Sequence, residues 1–354
     1  TIFPEYLYDP GLFFDEDGKV YVVHGQGTLY LTELNSDVKS VKGKPVKIWQ
    51  GGFKNAHELG GGFGMEGSHM YRINGKYYIT CPAGGTGGWQ ICLRSDNIYG
   101  PYEHKLIMND WSSYPENGLH QGGMVQLKNG DWWFMIMQDR GPIGRVPCLV
   151  PVKWIDGWPM LGDEGKDLIT YPKPATGKKS KIKSPATTDE FNASQLGLQW
   201  QWNHNPDNSR WSLKERKGYM RLYASQASTL KDARNTLTQR VQGPSCEGSV
   251  EMEVTGLKDG NIAGFGIFEF PYAYVAIRQE SGRRKIVMCN DGKDIETVEH
   301  FNGDKLWIRV RATDKEFKAL FYYSLDGVNY KRIGNELQMG LGLPWTCLLY
   351  TSPS

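Results

Sequence analysis

Met70-Tyr-Arg-Ile-Asn-Gly-Lys-Tyr-Tyr-Ile79 is the stretch that decides the fold. Two strand-forming runs flank Asn74-Gly75, the pair that best tolerates the left-handed backbone of a two-residue hairpin turn. The same grammar stands upstream in Gly11-Leu-Phe-Phe-Asp-Glu-Asp-Gly-Lys-Val-Tyr-Val-Val23. It returns downstream in Met124-Val-Gln-Leu-Lys-Asn-Gly-Asp-Trp-Trp-Phe-Met-Ile-Met137. The turn glycines Gly18, Gly75 and Gly130 are spaced by 57 and 55 residues. Further strands are expected over 29–34 and 42–49 after the first hairpin, and over 89–94 and 102–108 after the second. A near-constant period with about four short strands per unit is the signature of propeller blades. Residues 148–154 and the turn Asp156-Gly-Trp-Pro159 read as part of a further blade. Three blades and a part are too few for a closed ring unless more chain precedes residue 1.

Composition agrees with an all-β protein. Of 354 residues, 12% are aromatic and 43 are glycine, which suit strands and tight turns respectively. The net charge of +2 points to neither nucleic acid nor an anionic membrane surface. No apolar run reaches the length of a membrane span. The six cysteines, Cys81, Cys92, Cys148, Cys246, Cys289 and Cys347, contain no Cys-x-x-Cys pair. Several lie in apolar runs and are expected to be buried thiols. They leave the compartment open.

The propeller is expected over 1–162. Residues 163–190 form a polar connector, with five lysines between Lys173 and Lys183 together with Pro172, Pro174 and Pro185, best read as a solvated linker. From Phe191 a second β region begins. It alternates over 219–223, 249–254, 263–268, 273–277, 305–311 and 319–323, the pattern of a β-sandwich extending to residue 346. Residues 347–354, Cys-Leu-Leu-Tyr-Thr-Ser-Pro-Ser, fit nothing before them. They back-translate to TGT CTC TTA TAC ACA TCT CCG AGC, a common sequencing-adapter sequence, so this tail is expected to be non-native.

Chemistry-bearing residues recur at one place in the repeat. Each unit puts a different polar residue near the start of its first strand: Asp9 before Pro10, Glu66 in Gly64-Met-Glu-Gly-Ser-His-Met-Tyr71, and His120 in Leu-His-Gln-Gly-Gly. Inner propeller strands converge on a central channel, where these three can meet. Glycosidic cleavage needs one carboxylic acid to protonate the leaving oxygen and one carboxylate to activate water or attack the sugar. Glu66 is the candidate acid: small neighbours let a ligand approach, and the strand behind it holds it still. Asp15, Glu16 and Asp17 occupy a hairpin tip and are expected to be solvated. Trp132 and Trp133 are neighbours on a strand and face opposite sides, so at least one belongs to the core.

The runs Tyr-Asp-Pro-Gly-Leu-Phe-Phe-Asp-Glu-Asp-Gly, Glu-Gly-Ser-His-Met-Tyr-Arg-Ile-Asn-Gly-Lys-Tyr-Tyr, Asn-Ile-Tyr-Gly-Pro-Tyr, His-Gln-Gly-Gly and Gln-Asp-Arg-Gly-Pro-Ile-Gly-Arg-Val-Pro resemble glycoside hydrolase family 43. That family contains β-xylosidases, α-L-arabinofuranosidases and arabinanases. The resemblance implies a five-bladed β-propeller, its first blade missing from this chain, followed by a concanavalin-like β-sandwich. It implies an inverting mechanism in which Glu66 is the general acid and Asp9 the carboxylate that raises its pKa and orients it. It also implies that Arg145, in Gly-Arg-Val-Pro, binds the sugar, and that His120 lies near a possible calcium ion, mostly through water. The family's general base, an aspartate of the first blade, has no counterpart here, and the sandwich lacks its final strands. The chain is therefore expected to be truncated at both ends and inactive. Its substrates are expected to be xylan, arabinoxylan or arabinan, with no organic cofactor, nucleic acid or membrane. A secreted or periplasmic parent is compatible with such substrates. Two other readings stand beside this one: a non-catalytic carbohydrate-binding propeller-sandwich protein, and a retaining propeller enzyme acting on fructans.

Overall fold

The computed structural model describes residues 7–51, 53–55, 58–59, 64–84, 87–109, 118–166, 170–175, 177, 181, 183–268, 271–313, 316–340 and 349–352. The chain divides into two compact units, residues 1–140 with 146–180, and residues 181–354 with 141–145.

The first unit contains three four-stranded antiparallel sheets, each with its strands in sequence order. The first holds β1 (Gly11–Phe14), β2 (Val20–Gln26), β3 (Thr28–Leu34) and β4 (Val46–Gln50). A short hairpin follows, β5 (Phe53–Asn55) with β6 (Glu58–Leu59). The second sheet holds β7 (His69–Ile73), β8 (Lys76–Ala83), β9 (Trp89–Ser95) and β10 (Glu103–Met108). The third holds β11 (Leu119–Gln126), β12 (Trp132–Asp139), β13 (Arg145–Ile155) and β14 (Trp158–Leu161). The strands at 145–161 thus complete the third blade and do not open a further one. Only residues 140–144 separate β12 from β13, and so short a connection returns the chain beside the strand it has just left.

Local chemistry explains the hairpins. Asn74 and Gly75 both have positive φ, 51° and 80°, and Ile73 pairs with Lys76 across them, as a two-residue turn requires. Strand alternation then builds the packing between blades. Phe13, Val23, Leu29 and Leu31 of the first blade share a core with Ile79 and Leu93 of the second. Tyr78 and Ile107 of the second share another with Leu119, Phe134 and Ile136 of the third. Trp133 is buried, while Trp132 is half-buried and packs edge-on against Trp154.

The hairpin tip at 15–17 corrects an expectation. Glu16 and Asp17 are exposed, but Asp15 is only 8% exposed. The Tyr77 hydroxyl donates to Asp15 Oδ2 at 2.8 Å and Arg72 Nη1 donates to Oδ1 at 3.1 Å. A carboxylate this buried persists because both oxygens are paired. It staples the first blade to the second.

The second unit is a sandwich. Its larger sheet runs β15 (Gln201–Trp202), β18 (Leu237–Arg240), β28 (Leu349–Ser352), β20 (Ile262–Phe268), β21 (Ala273–Glu280), β22 (Arg283–Asn290), β23 (Lys293–Val298). The smaller runs β19 (Ser245–Glu253), β24 (Lys305–Thr313), β25 (Lys318–Ser324), β26 (Lys331–Arg332), with β27 (Leu337–Gln338) also on β25. Two short strands, β16 (Trp211–Ser212) and β17 (Arg221–Leu222), pair apart from these. In β24 the buried residues Leu306, Ile308, Val310 and Ala312 alternate with Trp307, Arg309 and Arg311. The inward set packs with Val275, Ile277, Met288 and Phe321. The outward set meets the β19 carboxylates: Arg309 and Arg311 reach Glu247, and Lys305 reaches Glu251. Strand β22 was not among the expected strands, because its opening Arg-Arg-Lys hides the buried Ile286–Cys289 run.

Leu349–Ser352, in the tail expected to be non-native, pairs with both β18 and β20. A β-ladder is made by backbone groups, which every non-proline residue carries. Residues 347, 348, 353 and 354 of that tail lie outside the described residues. The described part of the connector, between residues 170 and 190, carries no strand or helix. All five described cysteines are free thiols; Cys81, Cys92 and Cys289 are buried, Cys148 and Cys246 half-buried. Cys347 is not among the described residues.

Candidate active site

The Glu66 loop is held from two sides. The Gly27 N–H, beside β2, donates to the Gly64 carbonyl at 2.9 Å, and the Met65 N–H donates to the Pro82 carbonyl of β8 at 2.6 Å. Met65 adopts φ 60° and is fully buried, its sulfur 3.4 Å from Cys81 Sγ. Its side chain pins the loop into the core. The next residue, Glu66, is thereby turned out to a half-buried position, where Oε2 accepts a hydrogen bond from Gln26 Nε2 at 3.2 Å. Burial pushes the Cys81 thiol above its usual range, and the negative charge of Glu66 pushes it further. Glu66 therefore sits on the core's rim, close enough for its charge to be felt inside.

Gly67 is the meeting point of the three blades. It has φ 57°, and a methyl group there would lie 2.9 Å from Gln121 Nε2 and 3.2 Å from Asp9 Oδ2. Asp9 comes from the first blade, Gly67 from the entry to the second and Gln121 from β11 of the third. Asp9 is exposed, with φ 48°. Gln121, with φ 58°, forms the bulge where the β11–β12 register slips between His120 and Gly122. Its N–H donates to Gln90 Oε1 at 2.7 Å. Non-glycine residues rarely take positive φ, and where they do they mark turns or sites under constraint. Asp9, Met65 and Gln121 put three such residues around one glycine.

His69 begins β7, and its ring carbons come within ordinary contact distance of the position a Gly123 side chain would take. Desolvation lowers the pKa of the imidazole, and the opposing effect of the Asp9 charge is smaller. The residue as a whole is exposed, yet enough protein surrounds the imidazole to disfavour the cation.

His120 is buried. Its Nδ1 lies 3.0 Å from the Gly118 carbonyl, which can only accept, so Nδ1 carries a proton; Nε2 lies 3.5 Å from Asp139 Oδ2. Calcium takes six to eight oxygen ligands. Waters count among those ligands, and among the described residues no group of three His, Cys, Asp or Glu side chains gathers as a metal site. Arg145 is the first residue of β13 and is exposed.

Thus Asp9 and the Glu66 loop are brought together, and His120 joins them through its chain neighbour Gln121. Gln26, Gln90, Gln121, His69 and Asp139 went unread in the sequence. One signal existed: Gln90 interrupts the apolar run Trp89-Gln-Ile-Cys-Leu93, and a glutamine there must find a buried partner.

The first unit is built of four-stranded blades, the second is a two-sheet sandwich, and the Asp9 carboxylate and the Glu66 loop lie where three of the blades meet. Residues 4–159 match Glycosyl hydrolases family 43, and residues 188–342 match the Beta xylosidase C-terminal Concanavalin A-like domain. Residues 4–159 thus belong to glycoside hydrolase family 43. A beta-xylosidase of Formosa agariphila is 30% identical over 97% of this chain and 66% of its own length. A non-reducing end alpha-L-arabinofuranosidase of Bacteroides ovatus is 33% identical over 60% of this chain and 42% of its own. Among solved structures, a bifunctional family 43 protein of Bacteroides eggerthii superposes with a TM-score of 0.86 at 36% identity, covering 98% of this chain and 45% of that one. The chain therefore spans about two thirds or less of the length of these relatives.

Proposed function

We propose that this chain carries the acid half of an inverting glycosidase that releases xylose or arabinofuranose from hemicellulose. The observation that carries the proposal is the Glu66 loop, pinned by Met65 and set beside Asp9 across Gly67. Glu66 is the general acid. Asp9, a second carboxylate from another blade, opposes ionisation of Glu66 by like charge and orients it. The names of the Formosa and Bacteroides relatives support a xylose- or arabinofuranose-releasing activity. Arg145 is assigned to the sugar by resemblance; a guanidinium donates paired hydrogen bonds that suit vicinal hydroxyls.

Inversion also needs a base to activate water from the opposite face of the sugar. No described residue is assigned that role, so these 354 residues alone are expected to show no turnover of aryl β-xylosides or α-L-arabinofuranosides. Turnover by this chain that Glu66→Gln abolishes would overturn that expectation while leaving the acid in place. In a polypeptide that also supplies the base, Glu66→Gln should lower kcat/KM by roughly 10²–10⁴-fold on an unactivated xylo-oligosaccharide. The loss should be much smaller on a dinitrophenyl glycoside, whose leaving group needs no proton. Equal losses on both substrates would rule Glu66 out as the acid.

A further inference from the structure

We propose that Gln26 is a positioning residue that fixes which oxygen of Glu66 carries the acidic proton, a role that rests on reading Glu66 as the general acid. Its carboxamide keeps Oε2 as an acceptor and so leaves the proton to Oε1.

The turn between β2 and β3 delivers this side chain. Gln26 pairs with Thr28, and Gly27 alone connects the two strands. Strict alternation would put Gln26 on the face of Val20 and Val22. That face packs with Leu34, apart from the core that Val23 shares with the second blade. Gly25 interrupts the alternation. Its φ of 121° strains any side chain, and a methyl group there would collide with the Thr28 carbonyl. Past this break in the strand, Gln26 Nε2 donates to Glu66 Oε2 of the second blade at 3.2 Å.

The flanking glycines tie the same turn to the segments that carry both carboxylates. The Gly25 N–H donates to the carbonyl of Tyr8, next to Asp9, at 2.9 Å. The Gly27 N–H donates to the carbonyl of Gly64, two residues before Glu66, also at 2.9 Å. Three consecutive residues thus hold the turn in register with the acid and its partner.

A carboxamide nitrogen donates and does not accept. Glu66 Oε2 is therefore an acceptor whether the carboxyl is protonated or ionised, and the proton of the acid resides on Oε1. In catalysis the Oε1–H bond breaks and the proton passes to the leaving glycosidic oxygen. The Gln26 hydrogen bond then becomes charge-assisted and strengthens. It favours the carboxylate as that carboxylate forms, against the like charge of Asp9.

The experiment is an NMR titration of the 354-residue chain, which needs no turnover. It follows the Gln26 side-chain amide and the Glu66 carboxyl carbon in wild type, Glu66→Gln, Gln26→Met and Gln26→Asn. In wild type the Gln26 amide protons should move downfield as Glu66 ionises, with the same midpoint. Asp9 and His69 also titrate near this site, so the step must vanish in Glu66→Gln, which keeps both. Gln26→Met keeps the length without the donor and should raise the Glu66 midpoint by about 0.5 pH unit. Gln26→Asn draws the donor back by one methylene and should raise it likewise. A Gln26 amide that stays flat while Glu66 ionises overturns the proposal. So does an unmoved Glu66 midpoint in Gln26→Met, since Gln26 then only fills the turn. The Glu66→Gln kinetics decide the acid separately. A flat Gln26 amide beside unequal losses on the two substrates sinks the Gln26 proposal alone. A titrating amide beside equal losses upholds the hydrogen bond and overturns the acid assignment.

Discussion

At the scale of single residues, the site shows which features a residue type announces and which it conceals. A glutamate among glycines was legible as a candidate acid, and Asp-Pro as a candidate partner. Burial was not. His69 reads as one more polar residue at a strand start, yet desolvation lowers its pKa from the ordinary 6.5. The folded state therefore takes up a proton less readily than the unfolded chain. Between the two pKa values the unfolded chain holds more protons, so stability falls as pH drops through the ordinary histidine value. The penalty is absent well above pH 6.5 and complete below the folded-state pKa. His69→Gln should lose less stability than wild type between pH 7.5 and pH 5, read from urea midpoints at the two pH values. Parallel losses would show that His69 is not desolvated.

At the scale of elements, the hairpin period located the blades, and the turn residues explain why. Asn74-Gly75 accepts two consecutive positive φ angles, a demand few pairs meet. What joins the blades is less visible. Asp15 stands in an Asp-Glu-Asp-Gly tip whose composition indicates solvent. Its partners Arg72 and Tyr77 lie 57 and 62 residues away, so only the stacking of the second blade reveals them. Asp15→Ala leaves a phenol and a guanidinium facing each other without their acceptor, which should cost about 2 kcal/mol. A fall of about 6 °C in the propeller unit's melting temperature would follow. Asp15→Asn, which keeps one acceptor, should fall less. If Asp15→Ala melts with wild type, the staple adds nothing to the stability of the unit. The expectation of a fourth partial blade failed at this scale too. Strand propensity marked residues 148–154 correctly but cannot say which neighbour a strand pairs with.

At the scale of the whole molecule, the two units have separate cores, one set of residues packing between blades and another between the sandwich sheets. Calorimetry should accordingly resolve two transitions. Phe321, fully buried in the sandwich core, gives the test: Phe321→Ala should cost about 3–5 kcal/mol and lower one transition, while Asp15→Ala lowers the other. A single transition that both variants shift equally would contradict separate cores. The all-β class, the blade period and the sandwich were written in the sequence, because hydrophobic alternation and turn chemistry are local and act wherever the chain goes. Glu66 and Asp9 could be picked out for the same reason, each standing in a short motif. That both meet at Gly67, with Gln121 beside them and Gln90 behind, was decided only by the fold. Those contacts join residues of three blades, and they depend on positive φ at Asp9, Met65 and Gln121, which these residue types permit but do not dictate.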